Sequence, residues 1–141
     1  MSRPEDCPFP DPYWAFYWPG GQALAKYALE NSGRFKARRV VDLGCGCGAG
    51  SIAVLQAQPA SLLANDIDQV ALAATAMNVA ENGCPARGRL QLSGDNFIGS
   101  DLPPTDVLLL GDMFYDDQFA ARCLQWLRSQ RARLPHLEVA Q

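Results

Sequence analysis

Two kinds of apolar spacing divide this chain. Some apolar residues stand in short, nearly unbroken runs: Val40, Val41 and Leu43; Leu62 to Ala64; Val107 to Leu110. Such runs predict strands buried on both faces. Between them, apolar positions recur at helical spacing. The pattern predicts strands over 39–43, 61–65, 89–93 and 106–110, with 137–140 opening a fifth. It predicts helices over 22–30, 49–58 and 69–82, and a last one opened by Asp116 and Asp117. Gly33, Pro59 and Gly83 stop the first three, and Asp68 is placed to cap the third. The expected inward faces are Ala23, Leu24, Tyr27 and Ala28; then Val70, Ala73, Ala74, Met77 and Ala80; then Phe119, Cys123, Leu124 and Leu127. Residues 1–13 read as irregular, because Pro4, Pro8 and Pro10 remove backbone donors.

The alternation β-α-β-α-β-loop-β-α predicts an α/β fold with a doubly wound parallel sheet, the first strand central. Right-handed crossovers put the C-terminal ends of the strands on one edge, where ligands bind. The distinctive polar residues gather there: Asp42 with the glycines that follow it, Asp66, Asp95, and Asp112 with Tyr115.

Composition narrows the function classes. The chain has 141 residues, one domain's worth, and a net charge of -3, which is no footprint for nucleic acid. No apolar run approaches the ~20 residues of a membrane span. The 5 cysteines, an odd number, fit a reducing compartment. Cys45 and Cys47 are spaced too closely for a zinc knuckle and His136 is remote, so no metal is expected. Acidic, proline-rich residues 1–11 do not read as a mitochondrial presequence. Arg34, Lys36, Arg38 and Arg39 read as a solvated approach to the first strand. Tyr13 to Trp18 holds 5 aromatics in 6 positions, read either as a lid on a sheet edge or as a wall over a ligand.

The glycine turn admits two ligands. Gly44-x-Gly46-x-x-Ala49, with Asp66 ~20 residues on, satisfies the dinucleotide fingerprint, so a nicotinamide-dependent oxidoreductase is one reading. Against it, Asp42 stands where a pyrophosphate would approach, and like charges repel at short range. A carboxylate there suits the cationic amino group of a methionine moiety instead. Asp95 could accept from an adenine amino group.

Asp-x-Gly-x-Gly-x-Gly at 42–48, an acid after strand two and Gly94-Asp95 after strand three resemble the seven-strand S-adenosylmethionine-dependent methyltransferases. Tyr13 to Leu24, Asp42 to Gly48, Ala64 to Asp68 and Leu110 to Asp116 resemble one family within that class. It is the electron transfer flavoprotein β-subunit lysine methyltransferases, which are mitochondrial enzymes with bacterial relatives. The resemblance implies that Gly44, Gly46 and Gly48 let the backbone approach the cofactor, with Asp42 near its methionine end. It implies that Asp66 holds the ribose hydroxyls, that Asp95 or Asn96 faces adenine, and that Trp18 packs near the cofactor. Asp112 to Tyr115 would face the target lysine, with Asp112 orienting it and stabilising the arriving charge.

The resemblance further implies a protein substrate, the flavoprotein β subunit, and a mitochondrial matrix location; a cytoplasmic one follows if this N-terminus is the true one. A monomer is expected, without membrane or nucleic-acid partners. The match runs from about Asp11 to Leu127, and Cys45 stands where the family is expected to carry Ser. Residues 1–33 are expected to form an aromatic segment and helix, and 34–141 a cofactor-binding half that lacks the last strands of the class. A catalytically impaired short form or a binding module is therefore the alternative expectation.

Overall fold

A computed structural model describes residues 12–114 and 116–141. Tyr115 and the proline-rich residues 1–11 lie outside the described residues. The strands are β1 (Arg39–Leu43), β2 (Ser61–Asn65), β3 (Leu90–Ser93), β4 (Val107–Leu110) and β5 (Glu138–Ala140), all parallel, in the order β3-β2-β1-β4-β5. β1 is central, as its continuous apolar run requires. The helices are α1 (Pro19–Glu30), α2 (Ala49–Gln56), α3 (Gln69–Glu81) and α4 (Asp117–Arg133). The first starts earlier than its apolar spacing indicates, because Pro19 takes the first helical position, where its missing N–H costs nothing.

The two faces of the sheet follow the period of two along each strand. Val40, Val107 and Leu109 pack with Leu24, Ala28, Phe35 and Val54 of the α1–α2 side. Val41, Leu43, Leu108 and Leu110 pack with Cys123, Trp126 and Leu127 of α4. A smaller cluster of Cys45, Ala64 and Leu72 seats α3.

Three expected helix faces are corrected. In α3 the buried residues are Ala71, Leu72, Thr75 and Val79, while Met77 is 68% exposed. The face is rotated because it packs against both the sheet and the turn after β1, and that turn asks for a hydroxyl rather than an alkyl group. In α4 Leu124 is 45% exposed, whereas Trp126 and Gln130 are buried and Phe119 is only partly buried. Gln130 Oε1 accepts the Leu102 N–H, and Trp126 Nε1 donates to the Ser100 carbonyl, bolting the β3–β4 loop to α4. In α1 Ala25 is buried and Ala23 exposed. The basic group before β1 is likewise not merely solvated. Arg39 donates to Asp106 from its backbone and guanidinium, and Arg34 and Arg38 both pair with Glu138 of β5. These pairs tie β1, β4 and β5 together at their N-terminal ends, opposite the edge that carries the candidate site.

Candidate active site

Residues 44–48 follow β1 as a turn in which Gly44, Gly46 and Gly48 have φ of +70°, +53° and +86°. These left-handed angles favour glycine, because a Cβ is strained there. The turn's amides are largely engaged inside the protein. The N–H groups of Gly44 and Cys45 donate to the Asn65 carbonyl, Gly46 N–H to Asp66 Oδ2, and Gly48 N–H to the Cys45 carbonyl. The glycines therefore serve close approach more than they supply donors, a revision of what a glycine-rich turn alone suggests.

α3 grips the same turn from behind. The Thr75 hydroxyl, fully buried, donates to the Gly46 carbonyl at 2.9 Å, and Asn78 Nδ2 donates to the Cys47 carbonyl at 2.8 Å. A trans peptide sets its C=O and N–H antiparallel. Holding the Gly46 carbonyl toward α3 thus turns the Cys47 N–H away from it. The Cys45 thiol lies 3.5 Å from the Thr75 hydroxyl, and burial pushes its pKa up, so it is an inert packing group.

Asp42 is 6% exposed and lies on the α1–α2 side of β1. Its carboxylate accepts from the Ser51 hydroxyl at 2.7 Å and from the Ser51 backbone, so it caps α2, whose N-cap Gly48 has no side chain. Burial raises its pKa to about 6; the Ser51 hydrogen bonds pull the other way, and the charge of Asp66 adds to the rise. Among the described residues no positive charge offsets that burial. Ser51 carries no motif signal, since a serine in the first turn of a helix is common.

Asp66, after β2, uses one carboxylate oxygen for Gly46 and the other for the Asp68 N–H. Asn65, buried, donates through Nδ2 to the carbonyls of Ser93 and Asp95, which fixes where β3 ends. Asp95 is exposed and accepts from the Ser93 hydroxyl, while Asn96 accepts the Ile98 N–H. Asp95 lines a broad open depression of about 900 Å³ with Leu63, Gln91 and Phe97.

The central cleft lies instead between the turn and the aromatic segment, about 70 Å³ lined by Trp18, Gly21, Asp42, Gly44, Gly46 and Asp112 among others. Phe16 and Trp18 pack with ring centroids 5.5 Å apart, and Trp18 Nε1 donates to the Tyr13 carbonyl. Asp112, at the end of β4, has φ +46° and accepts the N–H groups of Gly20 and Gly21. The structure therefore brings Trp18, Asp42, Gly44, Gly46 and Asp112 to one cleft and joins Asp66 to it through Gly46. Gly48 faces α3, while Asp95 and Asn96 stand on the next strand end. Thr75, Asn78, Ser51 and Asn65 are the residues that motif reading misses. Among the described residues no group of three or more His, Cys, Asp or Glu could hold a metal ion, and no helix is long and apolar enough to cross a membrane.

A parallel sheet of this order, with a glycine turn and strand-end acids on its C-terminal edge, defines a Rossmann-like methyltransferase domain. Solved structures agree on the fold. Magnesium protoporphyrin IX methyltransferase from Synechocystis, crystallised with S-adenosylmethionine, superposes with a TM-score of 0.66 at 18% identity, covering 85% of this chain and 64% of that one. A putative RNA methyltransferase from Pyrococcus horikoshii gives 0.65 at 16% identity, covering 84% and 60%.

The ribosomal protein L11 methyltransferase (PrmA) family matches residues 22–109, and the chain belongs to that S-adenosylmethionine-dependent family. Its curated homologues include the electron transfer flavoprotein beta subunit lysine methyltransferases. The Danio rerio protein is 51% identical over 128 residues, covering 91% of this chain and 48% of the relative. The Homo sapiens protein is 41% identical over 127 residues, covering 90% and 47%. The chain spans about half the length of these relatives.

Proposed function

We propose that this chain is the cofactor-binding part of an S-adenosylmethionine-dependent protein-lysine N-methyltransferase that acts on the electron transfer flavoprotein β subunit. The observation that carries the cofactor assignment is Asp42: a buried carboxylate with no cation beside it among the described residues, next to bare glycine backbone, fits the ammonium group of a methionine moiety. A dinucleotide pyrophosphate would meet that carboxylate with like charge. The lysine and flavoprotein assignments rest on the relatives, whose names describe that reaction.

When bound, the cofactor supplies a methyl group on a positively charged sulfur. The chain's residues provide position and charge. Gly44 and Gly46 leave backbone where a side chain would stand. Asp42 supplies negative charge at the amino end, Asp66 has spare lone pairs for ribose hydroxyls, and Trp18 contributes an aromatic surface. Asp95 or Asn96 would serve the adenine end. The target amine must lose its proton to solvent before it can attack. Burial at the mouth of the cleft lowers its pKa, and negative charge at Asp112 stabilises the positive charge that arrives on nitrogen. Phe114, exposed two residues after Asp112, and Tyr115 would face the lysine. The proposed setting is the mitochondrial matrix, and the proposed state a monomer.

The test supplies labelled S-adenosylmethionine with purified flavoprotein β subunit and, in parallel, ribosomal protein L11. Label on a lysine of the β subunit is the expected result. Label on L11 alone, or cofactor binding without transfer to either protein, overturns the substrate assignment. Failure to bind S-adenosylhomocysteine overturns the cofactor assignment.

A further inference from the structure

Asp112, unlike Asp42, takes its partners from the far end of the described chain. Its Oδ1 accepts the Gly20 N–H at 3.1 Å and its Oδ2 accepts the Gly21 N–H at 2.7 Å, across 92 and 91 residues. α1 needs those acceptors. Its N-cap is Trp18, whose side chain makes no capping hydrogen bond, and no acidic residue stands in its first turn. The first N–H groups of a helix have no partner within it, and its N-terminus carries partial positive charge. A carboxylate that receives two of them answers both needs.

Two features show that the contact shapes its surroundings. Asp112 has φ +46°, a left-handed conformation that few residues other than glycine adopt. A Cβ at Gly20 would lie 2.7 Å from Asp112 Oδ2, so a side chain there would displace the carboxylate, although the backbone angle of Gly20 does not itself call for glycine. The carboxylate and the helix end have been fitted to each other. Trp18, Gly21 and Asp112 then meet as one side of the cleft.

We infer that Asp112 is a positioning residue, a latch that caps α1 from the end of β4 and so fixes Phe16, Tyr17 and Trp18 as the outer side of the cofactor cleft. The latch joins the loop after β4 to the aromatic segment. Loop and aromatic segment therefore move as one body, and occupancy of the cleft is coupled to presentation of the loop. A lysine approaching Asp112 finds a carboxylate already held by two amides, one that supplies charge but is not free to swing out as a base.

The test uses isotope-labelled protein with three substitutions: Asp112→Asn, Asp112→Ala and Gly20→Ala. Amide exchange at residues 20–23 should accelerate by about 10- to 100-fold in each, the scale of losing a hydrogen bond to a charged group. The Gly20 and Gly21 amide resonances should move upfield. Gly20→Ala is diagnostic because alanine otherwise favours a helix. The double variant Gly20→Ala, Asp112→Ala should be no worse than either single one, since both remove the same contact. Calorimetry should show S-adenosylhomocysteine binding weakened about tenfold in all three, in line with one displaced side of the cleft. That calorimetric arm rests on the cofactor proposed above; the amide arm does not. Unchanged exchange at 20–23 in Asp112→Asn and Gly20→Ala overturns the latch. Faster exchange in a protein that binds no S-adenosylhomocysteine upholds the latch and overturns the cofactor reading.

Discussion

Gly48 has φ +86°, and a Cβ there would lie 2.9 Å from both Cγ2 and Oγ1 of buried Thr75. Gly48→Ala should therefore cost about 1–3 kcal/mol, from backbone strain and from pushing α3 off the turn. Urea unfolding checks this, and a loss below a few tenths of a kcal/mol would show that α3 yields freely. Asn78→Leu removes the donor to the Cys47 carbonyl and keeps the side chain's bulk. It should weaken S-adenosylhomocysteine binding by about 3- to 30-fold, the worth of one net hydrogen bond, in a fold that otherwise holds. Unchanged affinity by calorimetry would mean that the glycines shape the turn unaided. Residues at this scale were unequally legible in the sequence. The glycines and Asp42 announce themselves, because few other residues tolerate those angles and few acids end a buried strand. Thr75 and Asn78 do not, since a polar residue in an alanine-rich helix reads as its wet side. Only the meeting of α3 with a turn some 30 residues earlier reveals what they hold.

Each helix begins at the edge that carries the cleft, and each begins under an aspartate. Asp68 and Asp116 cap α3 and α4 from the adjoining position, bonding the N–H groups of Val70 and Phe119. Asp42 and Asp112 do the same for α2 and α1 from the ends of β1 and β4. The two local caps were visible as sequence signals; the two supplied by strands were read for the cofactor and the target lysine and not as helix caps. The strands were legible to within a residue, because unbroken apolar runs leave little choice of register. The helix faces were less so. In α4, alkyl side chains suggested Leu124, whereas the sheet and the β3–β4 loop take Trp126 and Gln130. Trp126→Ala should cost about 3–5 kcal/mol, as for other buried aromatic truncations. Leu124→Ala, at 45% exposure, should stay within about 0.5 kcal/mol. Thermal or urea unfolding of the pair decides which face α4 buries, and equal losses would refute the packing described.

The molecule is electrically divided between its two ends, and its stability should show it. Asp42, buried at the cleft, titrates at about 6 in the folded chain against an ordinary 3.8. The folded state holds that proton more tightly, so its contribution is complete below pH ~4 and is lost as pH rises through ~6, about 2–3 kcal/mol in all. At the opposite end the guanidinium of Arg39 pulls the Asp106 pKa down, and Arg34 with Arg38 does the same for Glu138. Those contributions are present above the ordinary carboxylate range and fall away in acid. The midpoint of thermal unfolding should peak near pH ~4 and decline from there to pH ~6, and Asp42→Asn should flatten that decline while leaving the acid limb in place. A midpoint that climbs steadily from pH ~5 to ~8 would show that Asp42 does not resist its charge. The long-range cap on α1 also bears on how the chain is made. Gly20 is synthesised 92 residues before Asp112, so at roughly 5–20 residues per second some 5–20 s separate a helix end from its acceptor. Through that interval the start of α1 has no acceptor from the end of β4, and Tyr13, Phe16 and Trp18, packed on one another, offer a nascent-chain binder an aromatic cluster. The side of the cleft that is translated first is in this way the last to be finished.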